Sequence, residues 1–151
     1  MKNILAILIF TITFTSCSTD DSDNSSNDNS GSIENSEDIA QTGTWRVTNF
    51  IDSGDNETSD FNGYNFTFTS NGTLTASNGT TTYNGTWSIT DSSSSSSDDL
   101  DFNIFFNVPS DNDFEDLNDD WDIVSITDNK IDLIDISGGN GGTDLLTFET
   151  N

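Results

Sequence analysis

The sequence predicts an all-β domain over residues 41–151, an eight-stranded antiparallel barrel of the up-and-down kind. Three observations carry this. Apolar and polar residues alternate with period two, and no stretch sustains a period of 3.6. Turn dipeptides fall between the alternating runs at short intervals, which makes consecutive hairpins. Eight antiparallel strands with one greasy face expose two edges unless the sheet closes on itself. Only 30% of the chain is hydrophobic, yet it holds 3 Trp, 2 Tyr and 11 Phe. Each such ring buries about 150–250 Å², so a compact core is feasible.

In chain order the strands are expected at 44–51, 64–69, 73–77, 80–90, 100–108, 121–127, 130–136 and 143–150. The clearest inward series are Tyr64, Phe66 and Phe68; Tyr83, Trp87 and Ile89; and Leu100, Phe102, Ile104 and Phe106. Asn71-Gly72, Asn78-Gly79 and Asp128-Asn129 separate neighbouring strands, where two-residue turns call for positive φ. In an up-and-down barrel the first, third, fifth and seventh connections share one rim. Three of these are long, at 52–62, 109–120 and 137–142, so that rim is the expected mouth. It is acidic, with Asp52, Asp55, Glu57 and Asp60 from one loop and Asp111, Asp113, Glu115, Asp116, Asp119 and Asp120 from another. The serine run 92–97 reads as a low-complexity loop on the opposite rim.

Ahead of the barrel, residues 1–16 have the parts of a secretory signal peptide: Lys2, an apolar stretch over 4–14, and a small residue before the single cysteine, Cys17. The apolar run is shorter than the roughly 20 residues a spanning helix needs. Phe14-Thr15-Ser16-Cys17 resembles a bacterial lipobox, which implies cleavage before Cys17 and acylation with palmitate-class chains. Several chains, at about 0.8 kcal/mol per buried methylene, anchor a protein firmly. An ordinary signal peptide followed by a free or dimer-forming thiol is the alternative. Residues 17–40 are rich in Ser, Asp, Asn and Glu and read as a disordered tether. Asp20 and Asp21 resemble the signal that sends some Gram-negative lipoproteins to the outer face of the outer membrane, with the periplasmic face as the other destination.

Composition excludes whole classes of chemistry. With 27 acidic residues against 3 basic ones and a net charge of −24, the surface repels nucleic-acid phosphates. Without histidine, and with one cysteine, zinc sites built from those residues and Ser-His-Asp or Cys-His nucleophiles cannot form. No cofactor is expected, since the glycine run 138–142 lacks the strand-to-helix setting of a dinucleotide loop. Asp111, Asp113 and Glu115 alternate like calcium ligands, but Asp116 stands where an EF-hand loop needs glycine, so no metal site is assigned.

Gly43-Thr44-Trp45 matches the Gly-x-Trp opening of lipocalins. Gly85-Thr86-Trp87-Ser88-Ile89 is similar to the recurring "GTWSI" of lipocalin-like domains in bacterial cell-envelope lipoproteins, and the hairpin 66–74 resembles the one that precedes it there. The resemblance spans nearly all of 41–151. It implies a lipocalin-like barrel in which Trp45 plugs the closed end and Gly43 lets the chain turn tightly. Both tryptophans also fit the core of a β-sandwich.

Three functions compete. The first is a non-catalytic binding module for one small apolar molecule, with Phe66, Phe68, Trp87, Phe102 and Trp121 as candidate barrel-lining contacts. An eight-stranded barrel is just wide enough to be filled by side chains or to hold one small ligand. The second is a monomeric structural or interaction protein at the cell surface, with a filled barrel and an acidic, cation-attracting rim. The third, a hydrolase using paired carboxylates, draws no support from a chain in which some acidic pair always lies at a suitable separation.

Overall fold

The computed structural model describes residues 30–91, 100–136 and 142–151. The signal peptide, Cys17, the first part of the tether, the serine run and residues 137–141 of the glycine run lie outside the described residues.

Among the described residues nine strands follow one helix: α1 (Ser30–Gln41), β1 (Trp45–Asp52), β2 (Asp55–Asn56), a 3-10 turn (Thr58–Phe61), β3 (Asn65–Phe68), β4 (Thr73–Ser77), β5 (Thr82–Asp91), β6 (Leu100–Phe106), β7 (Asp119–Thr127), β8 (Lys130–Asp135) and β9 (Asp144–Thr150). Strands β3 to β9 form a meander, and β1 pairs with β9 from Trp45↔Thr150 to Ile51↔Leu145. With β1 also touching β3, eight antiparallel strands close into a barrel, and the sandwich alternative falls away. The two-residue β2 is a short hairpin extension of β1.

Closure between β1 and β3 rests on one register pair, Trp45↔Phe66. Above it the strands diverge, and the first rim loop fills the wedge. Ser53 and Gly54 both take positive φ, the geometry of a primed hairpin turn. Thr58 then substitutes for a strand partner: the Phe50 backbone N–H donates to its Oγ1 at 2.8 Å, and that hydroxyl sits 3.3 Å from the Phe50 carbonyl. The expected loop 52–62 is thus structured, and it carries Phe61 into the core.

The expected alternations form the interior. On β6, Leu100, Phe102, Ile104 and Phe106 are buried while Asp101, Asn103 and Phe105 point outward. Gly72 and Gly79 take positive φ, as their turns require. Asp128-Asn129 differs: Thr127↔Lys130 closes the hairpin, but neither turn residue has positive φ. The Thr127 hydroxyl holds it instead, donating to the Lys130 carbonyl at 3.0 Å and accepting the Lys130 N–H at 3.1 Å.

The tether expectation is corrected over its last part, because residues 30–41 form α1. Ser36 and Ala40 are buried, and Ile33 and Ile39 pack against the core. That spacing places them on one helical face. A helix this short is marginal alone, so its stability comes from that packing. It lies against β3, β5 and β7.

Candidate functional site

The barrel interior is the first place to look for a site, and it is occupied by rings. Phe68 meets Trp87 and Phe102 edge-on at 5.2 Å, and Trp87 stacks on Phe102 at 5.6 Å. Phe148 joins this group to Phe66 at 5.2 Å, and Phe66 stacks on Phe114 at 6.0 Å. From Phe114 the series continues through Phe61 and Phe50 to Trp121, with centroid separations of 5.4, 5.4 and 6.3 Å. The five residues singled out as candidate ligand contacts all lie in this series, buried, each against other rings of the same core. Both indoles satisfy their own donors, Trp87 Nε1 to the Thr69 carbonyl at 3.0 Å and Trp121 Nε1 to the Leu117 carbonyl at 3.1 Å.

Gly85 shows why the second tryptophan motif begins with glycine. A Cβ there would fall 2.3 Å from the Phe105 carbonyl oxygen and 2.9 Å from the Phe106 ring. Strands β5 and β6 approach too closely at that point for any side chain.

Trp45 is fully buried at the start of β1, and its Nε1–H donates to the Ala40 carbonyl at 2.8 Å. That carbonyl belongs to the last turn of α1, where backbone acceptors lack helical partners. One bond therefore joins helix and barrel. Gly43 differs from the expectation: its φ is not positive, and a Cβ would meet Thr150 at an ordinary 3.8 Å.

At the other rim, the loop 107–118 turns inward. Phe114 and Leu117 are buried, and Phe114 packs against Tyr83 at 4.2 Å, Tyr64 at 4.9 Å and Phe106 at 5.1 Å. Asn112 pins the loop, donating to the Tyr83 hydroxyl at 3.2 Å and accepting the Phe114 N–H at 3.1 Å. Sequence reasoning missed Phe61, Phe114 and Leu117 because it weighed their loops by acid content. Isolated large apolar residues inside such loops were the available signal.

The acid of the two loops converges outside this lid. Burial, and then the charges of Asp52, Asp116, Asp60 and Asp55, raise the Glu57 carboxyl above its usual range. Burial, then Asp52, Glu115, Asp113 and Asp60, raise Asp116 likewise. Asp119 is pushed up to about 6, chiefly by burial, with a hydrogen bond from the Asp120 backbone opposing it and Asp120 and Asp135 adding to it. Among the described residues, no three His, Cys, Asp or Glu side chains are grouped to hold a metal ion.

No family model matches the chain, and no curated protein does. Among solved structures it is similar to the crystal structure of a DUF4847 family protein from Bacteroides vulgatus, at 23% identity, over 76% of this chain and 96% of that one, with a TM-score of 0.51. At that identity the likeness is one of fold: a closed, eight-stranded, antiparallel barrel of lipocalin-like architecture.

Proposed function

We propose that this chain is a non-catalytic, lipid-anchored envelope protein whose filled barrel acts as an interaction module through its outer surface and acidic rim. The observation that carries this reading is the continuous series of rings from Trp87 to Trp121, which takes up the space an interior ligand would need. Buried side chains packed at close distance leave few voids larger than a water molecule. The anchor rests on the sequence alone, on Cys17 after an apolar stretch and on the lipobox resemblance. Asp20 and Asp21 behind that cysteine support an outer-membrane location, facing outward or into the periplasm, and we take the protein to be a monomer there. The absence of histidine supports the non-catalytic part of the reading.

A carrier of one small apolar molecule is the second reading. It is favoured by the position of Phe114 on a loop instead of a strand. Outward movement of that loop would uncover Phe66 and Phe106 without breaking any strand pair.

Native mass spectrometry of the purified full chain separates the two. The filled barrel predicts the mass of the polypeptide plus its acyl groups and nothing more. A stoichiometric apolar molecule, retained after the acyl groups are accounted for, favours the carrier. Radiolabelled fatty acid should be incorporated by the unaltered chain and not by Cys17→Ala; label retained by that variant would overturn the anchor.

A further inference from the structure

On the outside of the barrel, β5, β6 and β7 lie side by side with short polar side chains pointing outward. Pairing sets Ser88 of β5 beside Asn103 of β6, and Asn103 beside Asp120 of β7. Phe105 breaks the polar row. It pairs with Thr86 and remains 53% exposed. Beyond the Ile104↔Asp119 pair, β6 and β7 part company. The Asn118 side chain takes over there, accepting the Phe106 N–H and donating to the Phe106 carbonyl at 3.1 Å. The parting opens a groove of about 540 Å³ whose walls include Thr86, Ser88, Asn103, Phe105, Asp119 and Asp120. That volume falls within the range of about 300–1,000 Å³ typical of small-molecule sites.

We propose that this groove binds a neutral carbohydrate, with a sugar ring lying on Phe105 and its hydroxyls hydrogen-bonded by Ser88, Asn103 and Asp120. A pyranose presents a face of C–H bonds whose hydrogens are slightly positive, which suits the negative face of an aromatic ring. Its hydroxyls both donate and accept. The groove offers matching groups: the Ser88 hydroxyl, the Asp120 carboxylate and Asn103 Oδ1. The Asn103 amide nitrogen is already engaged, at 3.0 Å from Thr90 Oγ1 and 3.3 Å from the Ser88 carbonyl, so its oxygen is the group left to meet a sugar hydroxyl.

Other ligand chemistries fit less well. Asp119 and Asp120 repel uronates, sialic acids and phosphates. An acyl chain or other wholly apolar molecule would bury carboxylates without partners. An organic cation would be attracted, but the chain carries a net −24 and the rim loops hold carboxylates as well. Charge therefore does not single out this groove, whereas Phe105 does. The site lies outside the barrel, so it goes beyond the filled-barrel reading and stands or falls separately from it.

Amide chemical shifts of the full chain, titrated with maltose, cellobiose and N,N′-diacetylchitobiose, test the site. At least one sugar should shift the signals of Thr86, Ser88, Asn103, Phe105 and Asp120 together. Phe105→Ala, at an exposed position, should keep the fold and weaken binding roughly tenfold. Asp120→Asn should weaken it by a smaller factor. The proposal is overturned if none of the three sugars moves these signals, if Phe105→Ala binds as tightly as the unaltered chain, or if choline chloride moves them while the sugars do not.

Discussion

The two ends of this barrel are closed by different physics. At the end where β1 begins, closure is a helix: α1 lies against the strands, Trp45 is fully buried beside it, and one indole hydrogen bond of 2.8 Å ties them together. At the other end, closure is a pair of loops that turn Phe61, Phe114 and Leu117 inward and keep their carboxylates outside. The first end is held by regular structure, through Ile33, Ser36, Ile39 and Ala40 of the helix. The second is held by rings, and burial, with the charges of neighbouring carboxylates, raises the pKa of Glu57 and Asp116. The carboxyls whose pKa is raised, Glu57, Asp116 and Asp119, lie at the loop end, whereas Asp132, beside the turn that follows β7, is held below its usual range, against the opposing effect of burial, by its hydrogen bonds to Lys130, Ser125 and Thr147.

The comparison is best strained by cutting each lid. Trp45→Ala should cost the most, about 4 kcal/mol, since it leaves a large cavity and frees the Ala40 carbonyl. Urea denaturation measures it, and a cost below about 1 kcal/mol would deny the plug its structural importance. Phe114→Ala should cost less, about 3 kcal/mol, because a loop collapses into a void more easily than a strand does. The same variant should newly bind an apolar dye, read as enhanced fluorescence of anilinonaphthalene sulfonate; the unaltered chain should not. Starting the chain at Gln41 removes α1 and should lower stability by about 2 kcal/mol relative to a chain starting at Ser30. Equal denaturation midpoints for these two chains would show that the helix adds nothing to the fold.

The smallest effect concerns protons at the loop end. The Asp119 carboxyl titrates at about 6 in the folded protein, against 3.8 for an ordinary aspartate. Between those values the native state holds the extra proton, so stability falls as pH rises from about 4 to about 6. Asp119→Asn should therefore stabilise the protein at neutral pH, by about 1 kcal/mol or less after solvent screening. That gain should vanish below about pH 4. Thermal melts of both proteins across this interval check the sign. A gain that grows with acidity would contradict it.

Much of the fold was legible in the chain. Phe66 and Phe68, or Leu100, Phe102, Ile104 and Phe106, specify inward faces by alternation alone, because a strand's side chains have a period of two. Gly72 and Gly79 mark turns because their backbone angles exclude most other residues. The helix was not legible. Ile33, Ser36 and Ala40 share a face too weak to declare itself, and a surface already formed by β3, β5 and β7 supplies the stabilisation that their own propensity lacks.

By itself, then, the sequence determined the strand pattern, the acidic surface, the exclusion of histidine chemistry and the expectation of an anchor at Cys17. Tertiary structure alone decided that a helix backs the Trp45 end, that loops close the other end and that Phe114 belongs to the core. The reason is range. Alternation and turn preferences act between neighbours in the chain, whereas burying a ring from an acidic loop depends on which distant strands arrive next to it.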